Sequence, residues 1–273
     1  MRIAACVKWV DLRPEIDSLT GSVSTGERTA GISAADSAAV EVALGLADAW
    51  GAELTVLCAA AAGADRMLRD LLSTGVDAVS RVDVAPDAPS EVVAAALADA
   101  VDGVDAVVCG DYSSDRGSGS VPAFLAHHLG AAQALGLVAV DPAEAGHLYV
   151  TRRLGGGRSE RLELSGRAVI SVEGSVAQLR RASLREVLRT ADAMVPVTGA
   201  VAADGHHVEV VGRSPLRPRA RALPPPVGDD ALDRIVLLTG ALVDRTPPRT
   251  VHATPAEAAD LVLAQLREWG ALD

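Results

Sequence analysis

The stretch Asp105-Ala106-Val107-Val108-Cys109, followed by Gly110-Asp111-Tyr112-Ser113-Ser114-Asp115-Arg116-Gly117-Ser118-Gly119-Ser120-Val121, decides how this chain folds. Residues 105–109 form a short apolar run of the kind that lies buried within a parallel sheet. From residue 121 to 129 the pattern is helical, and Pro122 sits in the first turn, where a missing N–H costs nothing. A strand, a long polar loop and a helix make one βα unit. Gly117 and Gly119 allow close backbone approach, and Ser118 and Ser120 offer hydroxyls. The helix start supplies free N–H groups and positive dipole, which suits a phosphate. Asp115 is placed to accept from loop amides or a ribose hydroxyl. The segment also reads as an ordinary polar connection, but ordered loops of this length tend to be functional.

Working upstream, the same alternation recurs. Residues 3–7, 54–58 and 79–84 read as buried strands, and residues 36–49, 64–73 and 90–101 as helices, with Ser90 suited to an N-cap. Residues 14–33 read as a loop or small hairpin. Downstream, residues 134–140 form a fifth apolar strand. Residues 148–153 and 161–164 flank Gly155-Gly156-Gly157 and predict an antiparallel hairpin. Residues 168–172 are another apolar run, 181–190 are helical or turn-like, and 213–226 are an Arg/Pro-rich extended linker. Residues 233–238 read as a strand and 255–269 as a terminal helix. The expected organisation is a nucleotide-binding α/β domain over residues 1–195, with an added hairpin, and a C-terminal extension over residues 196–273.

Composition narrows the function classes. Of 273 residues, 49% are apolar but only 2% aromatic, so the core is built from small aliphatic side chains. The net charge of −11 argues against non-specific binding to nucleic acid or to anionic membranes. Lys8 is the single lysine. Cys6, Cys58 and Cys109 form no C-x-x-C pair, which removes zinc and dithiol motifs; an odd number of cysteines suits a reducing cytoplasm. Apolar runs stay short of the ~18–20 residues that span a bilayer, so no membrane insertion is expected. Each cysteine ends a predicted strand. Each reads as a small core residue, and the three together read as one crevice edge. Ligands of open parallel sheets bind at that carboxyl edge, near a topological switch point.

Absent motifs exclude further classes. Lys8-Trp9-Val10-Asp11 follows the first strand, with neither G-x-G-x-x-G nor a Walker lysine motif. The S-G-G-x-D-S loop of pyrophosphatase type and the G-x-S-x-G elbow are missing too. His127-His128 and His206-His207 lack metal-ligand spacing, so no metal site is predicted.

Taken together, these residues resemble the beta subunit of electron transfer flavoproteins over most of the chain. Ala4-Ala5-Cys6-Val7-Lys8 is similar to the family's opening strand. Ser33-Ala34-Ala35-Asp36 stands where the family has N-P-F-D. Arg69 and Gly75-Val76-Asp77 match its R-x-x-L-x-x-G-A-D helix end, and residues 110–121 occupy the place of G-K-Q-A-I-D-D-D-x-x-Q-T. Gln133, Arg152 with Gly156-Gly157, Arg181-Ala182-Ser183-Leu184 and Pro247-Pro248-Arg249-Thr250 follow in family order. The Ala/Arg-rich composition is similar to that of the mycofactocin-associated branch.

The resemblance implies an adenine nucleotide alpha hydrolase-like, Rossmann-like domain. It implies a heterodimer with an alpha subunit, sharing FAD with it and binding AMP, and carrying electrons from dehydrogenases to a downstream acceptor without catalysing a chemical step. Carried over by position, the AMP pocket comprises Cys6, Ser33, Ala34, Ala35, Asp36, Ala59 and residues 110–121. Leu184 falls at the leucine that docks into partner dehydrogenases. An apolar residue among Arg180, Arg181 and Arg185 fits a hot spot with a polar rim, and equally a helix core position. The chain departs from the family at Asp111-Tyr112, Arg116-Gly117 and Arg185. Val121 is similar to a branch in which a second FAD replaces AMP and electrons are bifurcated. Outside the family, the pattern also reads as a flavin-free nucleotide module of universal-stress type, or a nucleotide-hydrolysing or adenylating enzyme. Nucleic-acid binding through residues 213–221 is disfavoured, because Pro interrupts the basic run and no aromatics interleave it.

Overall fold

A computed structural model describes residues 1–85, 88–101, 103–199, 211–212, 214–215, 225–226, 228–240 and 250–272. The chain divides into two compact units, Met1–Leu216 and Arg217–Asp273. The first unit begins with β1 (Arg2–Val7), α1 (Ala34–Trp50), β2 (Glu53–Ala59), α2 (Asp65–Leu72), β3 (Ala78–Asp83) and α3 (Ser90–Ala100). It continues with β4 (Ala106–Gly110), α4 (Val121–Leu129), β5 (Ala132–Pro142), β6 (His147–Arg153), β7 (Ser159–Ser165), β8 (Ala168–Val172), α5 (Leu184–Thr190) and β9 (Val197–Gly199). Residues 14–33 carry a small hairpin, with Glu15–Ile16 antiparallel to Val23–Ser24.

The nine strands form one sheet in the order β7-β6-β5-β8-β4-β1-β2-β3-β9. All neighbours pair in parallel except at β6, which runs antiparallel to both β5 and β7. The fold is therefore an α/β, Rossmann-like layered sheet with an added hairpin. Strand order reverses beside β1: the chain moves outward through β2 and β3, then returns to lay β4 on the other side. The gap between β1 and β4 is the switch point at which open parallel sheets bind ligands.

Strand alternation sends side chains to two cores. On one face Ala5, Val56, Val108 and Ile170 pack with Ala38, Ala43 and Leu46 of α1 and Leu68 of α2. On the other, Ala4, Cys6, Leu57, Val107 and Val169 pack with Ala94 and Leu97 of α3 and Leu125 of α4. Alanines let the helices approach the sheet closely, which is how a chain poor in aromatics still fills its interior.

Several expectations need correction. The three cysteines do not line one edge. Cys6 pairs in register with Cys109, whereas Cys58 pairs with Val7, one position further on, and faces the opposite core. Pro89, not Ser90, holds the N-cap of α3. Residues 181–183 precede a helix that starts at Leu184, because Ser183 caps it through the Glu186 N–H. β9 pairs in parallel with β3 at the edge of the sheet.

The second unit contains α6 (Ala231–Thr239) and α7 (Pro255–Glu268). The strand expected at residues 233–238 is thus a helix. Asp230 caps its start through Leu232 N–H and left-handed Gly240 closes its end; a short apolar run alone does not distinguish the two states. The terminal helix expected at residues 255–269 is α7, and a reciprocal capping box between Thr254 and Glu257 sets its start. Most of the predicted linker at 213–226, His206-His207 and Pro247-Pro248-Arg249 lie outside the described residues. Among the described residues no helix is long and apolar enough to cross a membrane.

Candidate functional site

Three segments converge at the carboxyl ends of β4, β1 and β2, which are adjacent and parallel. The first is the end of β1 with Lys8, the second the N-terminus of α1, and the third the loop from Gly110 into α4. Lys8 ties them together. Its backbone N–H donates to Asp36 Oδ2 at 3.3 Å. Its ammonium donates to Asp115 Oδ1 at 2.7 Å and to Ser113 Oγ at 3.5 Å. Ser33 caps α1 by accepting from Asp36 N–H at 3.0 Å.

Two glycines let α1 sit this close to the sheet. A Cβ on Gly110 would lie 2.7 Å from Asp36 Oδ1 and 3.1 Å from the Ala35 carbonyl carbon. A Cβ on Gly174 would lie 3.1 Å from both Ala34 and Ala35. The loop itself is shaped by Gly117 and Gly119, at φ +64° and +59°. Gly117 N–H donates to Ser113 O at 2.9 Å, and a Cβ on Gly119 would meet Asp111 O at 2.5 Å. Arg116 Nη1 donates to Ala88 O at 2.6 Å and pins the loop to the turn before α3. The hydroxyls of Ser118 and Ser120 are 3.0 Å apart. Ser120 occupies the N-cap of α4 without capping it through its side chain, so the first N–H groups of α4 keep no hydroxyl partner there.

The carboxyls of the cluster are shifted in opposite directions. Burial pushes the Asp36 carboxyl up to about 6, against the Lys8 N–H and Ser33, which favour its charged form. Burial also opposes ionisation of Asp115, but its bonds from Lys8 and Ser113 prevail and hold its carboxyl below the ordinary range. Burial, with the nearby Glu173 charge, raises Asp111. Asp111 Oδ1 is buried with no hydrogen-bond partner among the described residues. Two thiols are disfavoured as thiolates: burial pushes Cys58 up to about 12, and a bond with Cys6 together with burial raises Cys109.

The expected residues divide accordingly. Asp36, Ser33, Ser113 and Asp115 are joined by direct bonds, and Gly110 and Ala35 by contact. Ala59 closes β2 next to β1, with Ala34 exposed at the start of α1. Tyr112, Ser114 and Gly117 are exposed along the loop, and Val121 begins α4. Cys6 is turned into the α3–α4 core. Lys8 was not among the expected pocket residues, although the one lysine in the chain, at the end of the first strand, was a signal that could have marked it. Glu173 and Gly174 gave no such signal, because the fold alone brings them beside Asp111 and α1.

A second surface lies around α5, which packs on α2. Leu184 is 74% exposed, so it is not a core residue, and Val187 and Leu188 are exposed beside it. Arg181, Arg185 and Arg189 surround them and are exposed. The approach to this helix is anchored on α1, where Arg180 meets Glu41 at 3.0 Å and Asp48 at 3.4 Å.

Comparison with protein families places these features in one context. The family described as Electron transfer flavoprotein domain matches residues 20–204, a span that holds α1, the 110–121 loop, the hairpin and α5. No curated protein matches the chain.

Proposed function

The chain belongs to the electron transfer flavoprotein family, and from that premise we propose that it is the beta-type subunit of a heterodimer. In this reading it binds AMP as a structural nucleotide and forms one wall of an FAD site completed by an alpha subunit. The observation that carries the reading is the joining of β1, α1 and the 110–121 loop through Lys8 at the switch point.

The residues fit a mononucleotide. Lys8 is the ammonium of the cluster and already pairs with Asp115, beside a second carboxyl at Asp36, so the smaller charge of one phosphate is opposed less than that of a di- or triphosphate. Lys8, the serine hydroxyls and the free N–H groups at the start of α4 would hold that phosphate. Bound FAD would supply the redox chemistry, taking electrons from a dehydrogenase and passing them to a downstream acceptor. This chain's own groups bind and orient, and burial keeps the Cys58 and Cys109 thiols from acting as nucleophiles.

The exposed apolar residues of α5, ringed by arginines, support a docking role for Leu184 toward donor dehydrogenases. The test is co-expression with the alpha-type partner. A stable one-to-one complex with flavin absorbance that a dehydrogenase bleaches anaerobically is expected. A chain that purifies alone, and binds nucleotide without any flavin partner, would instead fit a nucleotide module.

A further inference from the structure

Helix α5 carries two adjacent rows on its outer side. Leu184 and Leu188 lie four residues apart and are 74% and 68% exposed. Arg185 and Arg189, also four apart, are exposed beside them. Thr190, on the opposite side of the helix, is buried, and α5 packs on α2. We propose that this outer face docks into an apolar cleft bordered on one side by carboxylates, on an electron-donating dehydrogenase that is itself acidic, and that Arg181 and Arg185 select it. The inference rests on the docking reading of Leu184 and adds to it the charge and orientation of the partner.

Residues 180–189 hold four arginines and one glutamate, in a chain whose net charge is −11. Two of the four are engaged within the chain: Arg180 pairs with Glu41 and Asp48 of α1, and Arg189 pairs with Glu186. Arg181 and Arg185 are exposed and have no ion-pair partner among the described residues. Asp192, the next acid in sequence, comes after the helix. Each free guanidinium can therefore meet a carboxylate of another protein without breaking an existing pair, and its planar fork holds a carboxylate by two parallel bonds.

The same charge distribution orients the encounter. An acidic protein is repelled by the bulk of this chain and attracted where arginines cluster, so approach is steered to bring α5 in first. Leu184 and Leu188 then make the buried contact. The arginine row lies to one side of them, so it calls for acid on one wall of the cleft. A bilayer is the poorer occupant. Seven residues of helix span about 10 Å and offer little apolar area, and the net charge of −11 opposes an anionic surface.

The experiment uses the purified heterodimer with the dehydrogenase that bleaches its flavin, and reads the bimolecular rate of flavin reduction by stopped flow. That rate is expected to fall about tenfold from low to physiological ionic strength. Replacing Arg181→Glu and Arg185→Glu together should lower the low-salt rate about tenfold with FAD content unchanged. Arg158→Glu makes the same change of charge at an exposed arginine between β6 and β7 and should leave the rate nearly unchanged. A rate slowed by Leu184→Ala but indifferent to salt and to the arginine pair would overturn the acidic partner and leave the docking reading standing. A rate indifferent to all three would overturn the docking reading as well. Equal slowing by Arg158→Glu would overturn the proposal, as would binding of the heterodimer to phosphatidylcholine vesicles containing phosphatidylglycerol that is lost with the two arginines.

Discussion

Lys8 Nζ lies 2.7 Å from Asp115 Oδ1, so the residue after the first strand is tied to the loop after the fourth. Both side chains are about one-third exposed, at 35% and 37%, and a pair this wet contributes ~1 kcal/mol or less to stability. Its value on this account is positional. Lys8→Met should change unfolding free energy by no more than ~1 kcal/mol while sharply lowering the adenine nucleotide that co-purifies with the complex. Unchanged nucleotide content would remove Lys8 from the binding groups.

The seating of α1 on glycine is testable by adding one methyl group. Gly110→Ala places a carbon against Asp36 and the helix backbone, an overpacking expected to cost ~1–3 kcal/mol in urea unfolding. Gly45 lies in the same helix with nothing within 4 Å of its added Cβ. Gly45→Ala should therefore stabilise, by ~0.5–1 kcal/mol. If both variants behave alike, close approach at Gly110 is not what holds the helix there.

Asp36 makes a pH signature. Its carboxyl titrates near 6 in the folded chain and near 3.8 when unfolded, so folding favours its protonated form. The sign follows: its stabilising contribution is full below pH ~4 and is lost as pH rises through ~6. Asp36→Asn keeps an acceptor for Lys8 N–H but cannot ionise. The gain in stability of this variant over the parent should grow between pH 4 and pH 7. A difference that stays flat across that window contradicts the burial argument.

Leu184 is 74% exposed, so Leu184→Ala should leave unfolding free energy within ~0.5 kcal/mol and FAD content unchanged. Reduction of the complex by its donor dehydrogenase should slow severalfold or more, read by stopped-flow flavin absorbance. Loss of FAD instead would make the residue structural.

The parallel sheet was legible because each central strand is a short apolar run closed by a turn signal, as in β4 and β8. The helix at 231–239 was not legible, since its apolar run alone is as compatible with a strand; Asp230 and Gly240 decide it. The loop at 110–121 announced itself through Gly117 and Gly119 at a strand end. Lys8 did not announce its partner, which lies 107 residues away and is brought close by the strand crossover beside β1. The misplacement of Cys58 has a similar cause. A one-residue stagger between β1 and β2 turns it to the opposite face from Cys6 and Cys109, and stagger follows from pairing rather than from local pattern.

The most direct test of the central claim is the nucleotide inventory of the purified heterodimer. The complex is denatured, and the released nucleotides are identified and counted by mass spectrometry. One FAD and one AMP per heterodimer is the predicted result. Two FAD and no AMP, or ATP with no flavin, would contradict it.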